Sequence, residues 1–145
     1  MSILIHYPYK KYKIKNWSKV KILIEDIINE YGKKPGSINF IFIDNSEIIN
    51  LNYQYLKHNY ATDVLCFILS DNIVLSGDIY IGIDTIKDNA KKYKVTLANE
   101  LMRVIIHGTL HLCGFEDSNE EQRDIMKNME DSWLIKAVKN YGIQL

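Results

Sequence analysis

The stretch TDVLCFILSDNIVLSGDIYIGID, residues 62–84, decides the fold. TDVLCFIL (62–69) is rich in β-branched and aromatic residues and reads as a strand; Asp71 and Asn72 supply turn chemistry, and GDIYIGI (77–83) reads as a second strand. Past Ile83 the pattern changes from strand to helix. Asp84 is placed to cap a helix running to about Tyr93, and Thr96 or Asn99 to cap another from about Leu97 to Cys113. Outward from there, ILIHY (3–7) and SINFIFID (37–44) read as strands. Asn16 opens a helix whose Val20, Leu23, Ile24, Ile27 and Ile28 recur at helical spacing until Gly32, and Ser46 to Leu56 forms a shorter helix. Ser118 and Glu121 read as a capping box, and Ile125, Met129, Trp133 and Ala137 as the apolar seam of the next helix. The expectation is one α/β (α+β) domain over residues 1–145, about four strands of mixed sheet packed with about five helices.

Composition is that of a soluble globular chain: 145 residues, 47% hydrophobic, 25% charged, enough to bury a core without disulfides. Two cysteines give no disulfide framework, so a reducing cytoplasm is the expected compartment. The N-terminus meets tyrosine and lysine too early for a signal peptide, and no apolar run approaches a membrane span, so no membrane partner is expected. Net charge is zero but polarised: residues 1–60 hold nine lysines against five acids, residues 61–145 nine basic residues against thirteen acids. That argues against tight non-specific nucleic-acid binding and leaves room for a local basic surface.

The chemistry concentrates at the end of the last strand-following helix, in HGTLHLCGFED, residues 107–117. His107 and His111, four apart, project from one helix face. Gly114 fits the left-handed position past a helix end, so the chain reverses and residues 115–117 can return to the histidine face. Asp117 is a suitable third ligand; Glu116 is an alternative, and Cys113 a softer one that points to another side of the helix. Gly108, read as keeping the surface between the histidines open, stands where the H-E-x-x-H motif has its glutamate base, which excludes a protease of that type. Two imidazoles and a carboxylate leave a tetrahedral ion one open position, the arrangement of catalytic sites, placing a metal cleft at the end of the histidine helix.

This stretch resembles the H-G-x-L-H-L-x-G-Y-D-H signature of the YbeY family, bacterial metal-dependent endoribonucleases of rRNA maturation. LNYQYLKHNYATDVLCF (51–67) is similar to the family's L-N-x-x-Y-R-x-K-x-x-x-T-D-V-L-S-F block, GDIYIG (77–82) to its G-D-I-x-I strand, and Glu100, Met126 and Glu130 also fit. The resemblance implies an α/β fold with a zinc ion on three side chains, single-stranded RNA as substrate, and a role at the 16S rRNA 3′ end and in ribosome quality control. Its partners would be rRNA and the small ribosomal subunit rather than DNA. Carried over by position, the ligands are His107, His111 and Asp117. Asp117 stands where the family usually has histidine, and a carboxylate admits Mn²⁺ or Mg²⁺ more readily than a third imidazole does. The family arginine falls on Leu56, leaving Lys57 and His58 as candidates for its part at a scissile phosphate, or as solvated residues at a helix end. Two rival functions remain open: an RNA- or ribosome-binding assembly factor with a structural metal, and a metal-dependent hydrolase of another substrate.

Two further features stand apart. YPYKKYKIKNWSK (7–19) interleaves five lysines with Tyr7, Tyr9, Tyr12 and Trp17. It is read as a solvated connection whose aromatics anchor it to the core, against a rival reading as phosphate-binding lysines with base-stacking rings. Thr62 and Asp63 are expected to begin a strand at the cleft and either to orient substrate or a ligand imidazole, or to cap the strand.

Overall fold

A computed structural model describes residues 2–7 and 13–145. The elements run β1 (Ser2–His6), α1 (Trp17–Glu30), β2 (Lys34–Ile43), α2 (Asn45–Leu56), β3 (Val64–Asp71), β4 (Val74–Gly82), α3 (Ile83–Tyr93), α4 (Leu97–Leu112) and α5 (Glu120–Lys139). The sheet order is β1-β2-β4-β3. β1 and β4 both pair with β2 in parallel, whereas β3 pairs antiparallel with β4 in the hairpin foreseen around Asn72. The expected mixed four-stranded sheet with five helices is therefore the observed fold.

Strand alternation sorts side chains between two layers. Ile38, Phe40 and Phe42 of β2 and Ile79 and Ile81 of β4 enter a large core with Leu23, Ile24 and Ile27 of α1 and Leu101, Ile105 and Leu110 of α4. The opposite parity, Ile41, Ile43, Leu65, Phe67 and Tyr80, meets Ile48 and Leu51 of α2 in a smaller cluster. α4 is the central helix, with ten buried residues along its length and contacts to α1, α3, α5, β3 and β4. Each of its fully buried Leu and Ile side chains contributes roughly 1.5–3 kcal/mol by leaving water. Gly108 is buried here, not open as expected: a Cβ would lie 3.0 Å from Ile79 Cγ2, so its absence lets α4 settle directly on β4.

Several boundaries differ from the sequence reading, each for a local reason. β2 begins at Lys34, because a bulge between Pro35 and Ile38 absorbs the irregularity; β1 pairs only from Ser37 onward, so the missing Pro35 N–H breaks no bond on that side. Thr62 and Asp63 precede β3 rather than begin it, and the Asp63 carbonyl accepts from Gly82 N–H at 2.8 Å. Asn16 sits at the start of α1 in the left-handed region, φ 59°, and its side chain caps nothing. α3 starts from Gly82, while Asp84 accepts a hydrogen bond from Asn45 N–H at the start of α2 instead of capping. Thr96 caps α4, its Oγ1 accepting from Asn99 N–H at 3.0 Å. The cap of α5 is displaced by one residue: Asn119 Oδ1 accepts from Gln122 N–H and Gln122 Oε1 accepts from Ser118 N–H. Of its expected seam, Trp133 and Ala137 are buried and Met129 packs against the core, while Ile125 is exposed and Met126, Glu130 and Leu134 are buried instead. Among the described residues, no helix is long and apolar enough to cross a membrane.

Candidate metal centre

Both histidines occupy the last turns of α4, with ring centroids 4.8 Å apart. The helix ends at Leu112; Gly114 takes φ 103°, a backbone state that side chains disfavour, and the chain turns back. Phe115 N–H and Gly114 N–H bond to the Leu110 and His111 carbonyls, which fixes that reversal. Asp117 arrives between the imidazoles: Oδ2 lies 3.4 Å from His107 Nε2 and Oδ1 lies 3.4 Å from His111 Nε2. The one group of His, Cys, Asp and Glu among the described residues able to hold a metal ion is this one, its donor atoms all within 4.8 Å of one another. Zinc bonds of about 2.0–2.2 Å place tetrahedral donors roughly 3.4 Å apart, so these spacings fit a shared ion. Glu116 is exposed and outside the group, and Cys113 turns towards the hydrophobic core.

A second layer of charge fixes the first imidazole. His107 Nδ1–H donates to Glu130 Oε2 at 2.6 Å, leaving Nε2 to face Asp117. The other oxygen of Glu130 accepts from Arg103 Nη1 at 2.9 Å, and Arg103 Nη2 bonds to Asp131. A carboxylate on the far nitrogen of a metal-binding histidine sets its tautomer and raises its basicity. Burial opposes charging of His107, but the hydrogen bond and charge of Glu130, with Asp117 and Asp63, outweigh it, and its pKa is raised. Burial and the neighbouring His107 lower that of His111. Asp63 is held above the ordinary carboxylate range by burial, which the attraction of His107 only partly offsets. Burial raises Glu100 too, with Asp63 and Glu130 adding to the effect against the pull of Arg103.

A cleft of about 540 Å³ opens beside these donors, lined by His107, Asp117, Glu100, Arg103 and the α5 residues Arg123 and Lys127, among others. Lys57 and His58 lie past the end of α2. Lys57 takes φ 60° and sits over the Tyr53 ring, and His58 stacks on Tyr60, whose hydroxyl is 3.1 Å from Nδ1. Both are exposed, and the buried Asn52 anchors their loop by donating to the Tyr60 carbonyl at 3.0 Å. From Tyr60 the chain runs to Asp63, close enough to His107 to act on its charge. Of the lysine–tyrosine stretch, Tyr9, Lys10, Lys11 and Tyr12 lie outside the described residues. Tyr7 packs edge-on against Phe42 and its hydroxyl accepts from Ile14 N–H at 2.8 Å, while Trp17 packs against Phe40, as the anchoring reading expects.

The fold and site define an α/β domain whose His107, His111 and Asp117 could together hold a metal ion, two of them lining a cleft. The sequence profile described as Endoribonuclease YbeY matches residues 5–138, and the chain belongs to the YbeY family of endoribonucleases. Curated relatives named Endoribonuclease YbeY include those of Karelsulcia muelleri, 40% identical over 95% of this chain and 99% of the relative, and Bacteroides thetaiotaomicron, 42% identical over 77% and 81%. The solution structure of a Thermotoga maritima protein superposes with a TM-score of 0.64 at 27% identity, covering 97% of this chain and 92% of that one.

Proposed function

We propose that this chain is a metal-dependent endoribonuclease of the cytoplasm. It cuts single-stranded RNA in maturing the 3′ end of 16S rRNA, and engages the small ribosomal subunit in ribosome quality control. The observation that carries the reading is the convergence of His107 Nε2, His111 Nε2 and Asp117 on one point beside an open cleft, in a chain of an endoribonuclease family. Those three side chains hold one zinc ion; the aspartate also suits Mn²⁺ or Mg²⁺. When bound, the ion supplies Lewis acidity, acidifying water and offsetting the charge that develops on a phosphodiester. Glu130 keeps a proton on His107 Nδ1 and so keeps the Nε2 lone pair available. Arg103 balances the charge of Glu130 and holds its carboxylate in place. Lys57 or His58, at the end of α2, serves the scissile phosphate with a positive charge or a hydrogen bond.

The test compares purified wild type with His111→Ala for bound metal and for cleavage of single-stranded RNA, with rRNA 3′ processing followed in cells. The wild type should carry about one ion and cleave; the variant should lose both. A wild type that binds no metal overturns the reading. Metal binding with unaltered rRNA processing in the variant would favour an assembly factor with a structural ion, and turnover of peptide or ester substrates alone would favour another hydrolase. A 2′,3′-cyclic phosphate end would identify the ribose 2′-hydroxyl, rather than water, as nucleophile.

A further inference from the structure

The cleft beside the metal donors is walled by two helices whose charges are not equivalent. Arg103 of α4 is engaged by Glu130 and Asp131. Arg123 and Lys127 of α5, four residues apart on one helix face, are exposed and line the same cleft as His107 and Asp117. Among the described residues neither makes an ion pair. The carboxylates nearby are differently placed: Glu130 serves His107 and Arg103, Asp117 faces the imidazoles, and Glu100 is 5% exposed. Among the α5 residues that line this cleft, the exposed charges are therefore the positive ones. Tyr93, 56% exposed at the end of α3, lines the cleft as well, and Lys92 Nζ lies 5.5 Å from its ring centroid. A volume of about 540 Å³ is ample for a nucleotide unit.

We propose that this cleft is a nucleotide subsite in which Arg123 and Lys127 take backbone phosphates adjoining the one that is cut, and Tyr93 stacks on an unpaired base. The proposal takes its ligand, single-stranded RNA, from the endoribonuclease reading. Arginine grips a phosphate through two parallel N–H donors and lysine as a point charge, so the pair holds a flexible backbone without reading sequence. Base stacking on an aromatic ring is equally tolerant of sequence. The subsite would position RNA along α5, with His107 and Asp117 at its inner end.

The experiment measures binding of a short fluorescent single-stranded RNA across a salt series, with divalent ions chelated to prevent cleavage. It uses wild type, Arg123→Ala, Lys127→Ala, Arg123→Lys, Tyr93→Ala and, as a control outside the cleft, Lys139→Ala. Each lost phosphate contact should flatten the log–log salt dependence by about 0.7. Tyr93→Ala should weaken binding roughly 5-fold to 150-fold with the salt dependence unchanged. Arg123→Lys should keep the wild-type salt dependence, and the metal content of each variant, measured before chelation, should match wild type. Wild-type affinity and salt dependence in Arg123→Ala and Lys127→Ala, or an equal loss in Lys139→Ala, overturns the subsite. Cleavage with the ion restored is scored separately. If wild type cleaves RNA while the cleft variants bind and cleave as it does, the subsite fails and the endoribonuclease reading stands. If RNA binding depends on the cleft but no ion supports cleavage, that reading fails and the subsite stands.

Discussion

Replacing Glu130 by glutamine exchanges one carboxylate oxygen for an NH₂ group and removes one charge from the layer behind His107. In the native site one carboxylate oxygen accepts from His107 Nδ1–H at 2.6 Å and the other from Arg103 Nη1 at 2.9 Å. An amide has one acceptor and one donor end, so it can satisfy either partner but opposes an N–H to the other. Leaving a buried donor unsatisfied costs about 1–3 kcal/mol. If the amide oxygen turns to Arg103, His107 loses the partner that fixes its tautomer; if it turns to His107, only a neutral acceptor supports the imidazole. Metal affinity should fall about 10- to 100-fold, the range for loss of an outer partner and close to 1.4–2.7 kcal/mol. Titration of the metal-free protein with Zn²⁺ against a competing chelator reads this directly, with circular dichroism confirming that α5 remains folded. Glu130→Asp, which keeps the charge on a shorter stem, should fall between wild type and Glu130→Gln. A zinc Kd for Glu130→Gln within twofold of wild type would refute the assignment of Glu130 to the metal centre.

Asp117→Ala should lower metal affinity sharply while Glu116→Ala leaves it unchanged, since only Asp117 lies 3.4 Å from both Nε2 atoms; equilibrium dialysis distinguishes the two. Burial pushes the Cys66 thiol up to about 12 and the Cys113 thiol up to about 11, so native protein at pH 8 should react with thiol reagents far more slowly than denatured protein; a fast native phase would contradict this. Burial, together with the hydrogen bond and charge of Asp26, holds the Tyr141 hydroxyl up to about 12 against an ordinary 10.0. The folded state thus retains a proton that the unfolded state gives up: this stabilisation is complete below about pH 10 and is lost as pH rises through about 12. Urea midpoints should therefore converge between wild type and Tyr141→Phe over that window, and parallel curves would disprove it.

The sites that sequence pattern revealed are those whose parts are local. His107 and His111 share a helix face by spacing alone, and Gly114 announces the turn that returns Asp117. The strands were legible likewise, because each is a local run of β-branched and aromatic residues between turn residues. The role of Glu130 was not legible in this way. It comes from another helix, and a lone charge in an apolar seam makes sense only once Arg103 and His107 are known to meet it. The same charge explains why Ile125 was expected inside: a stripe through Ile125 avoids placing a carboxylate in the core, whereas the fold buries Glu130 and exposes Ile125. Neighbouring residues of equal capping ability, Ser118 and Asn119, left that boundary uncertain by one position. The role of Gly108 is not local either: it lies in the close contact of α4 with Ile79 on a distant strand.

If His107, His111 and Asp117 hold an ion as proposed, the clasp formed by Arg103, Glu130 and Asp131 ties helix docking to ion capture. A chain synthesised only as far as Asp117 possesses every donor of the metal group yet lacks the anion that orients one of them. On that reading, loading the ion and seating α5 are thermodynamically linked, each favouring the other by the same free energy. In hydrogen exchange the ion should slow the amides of residues 120–139, though none of them belongs to the donor group, and the metal centre would report that the C-terminal helix has found its place.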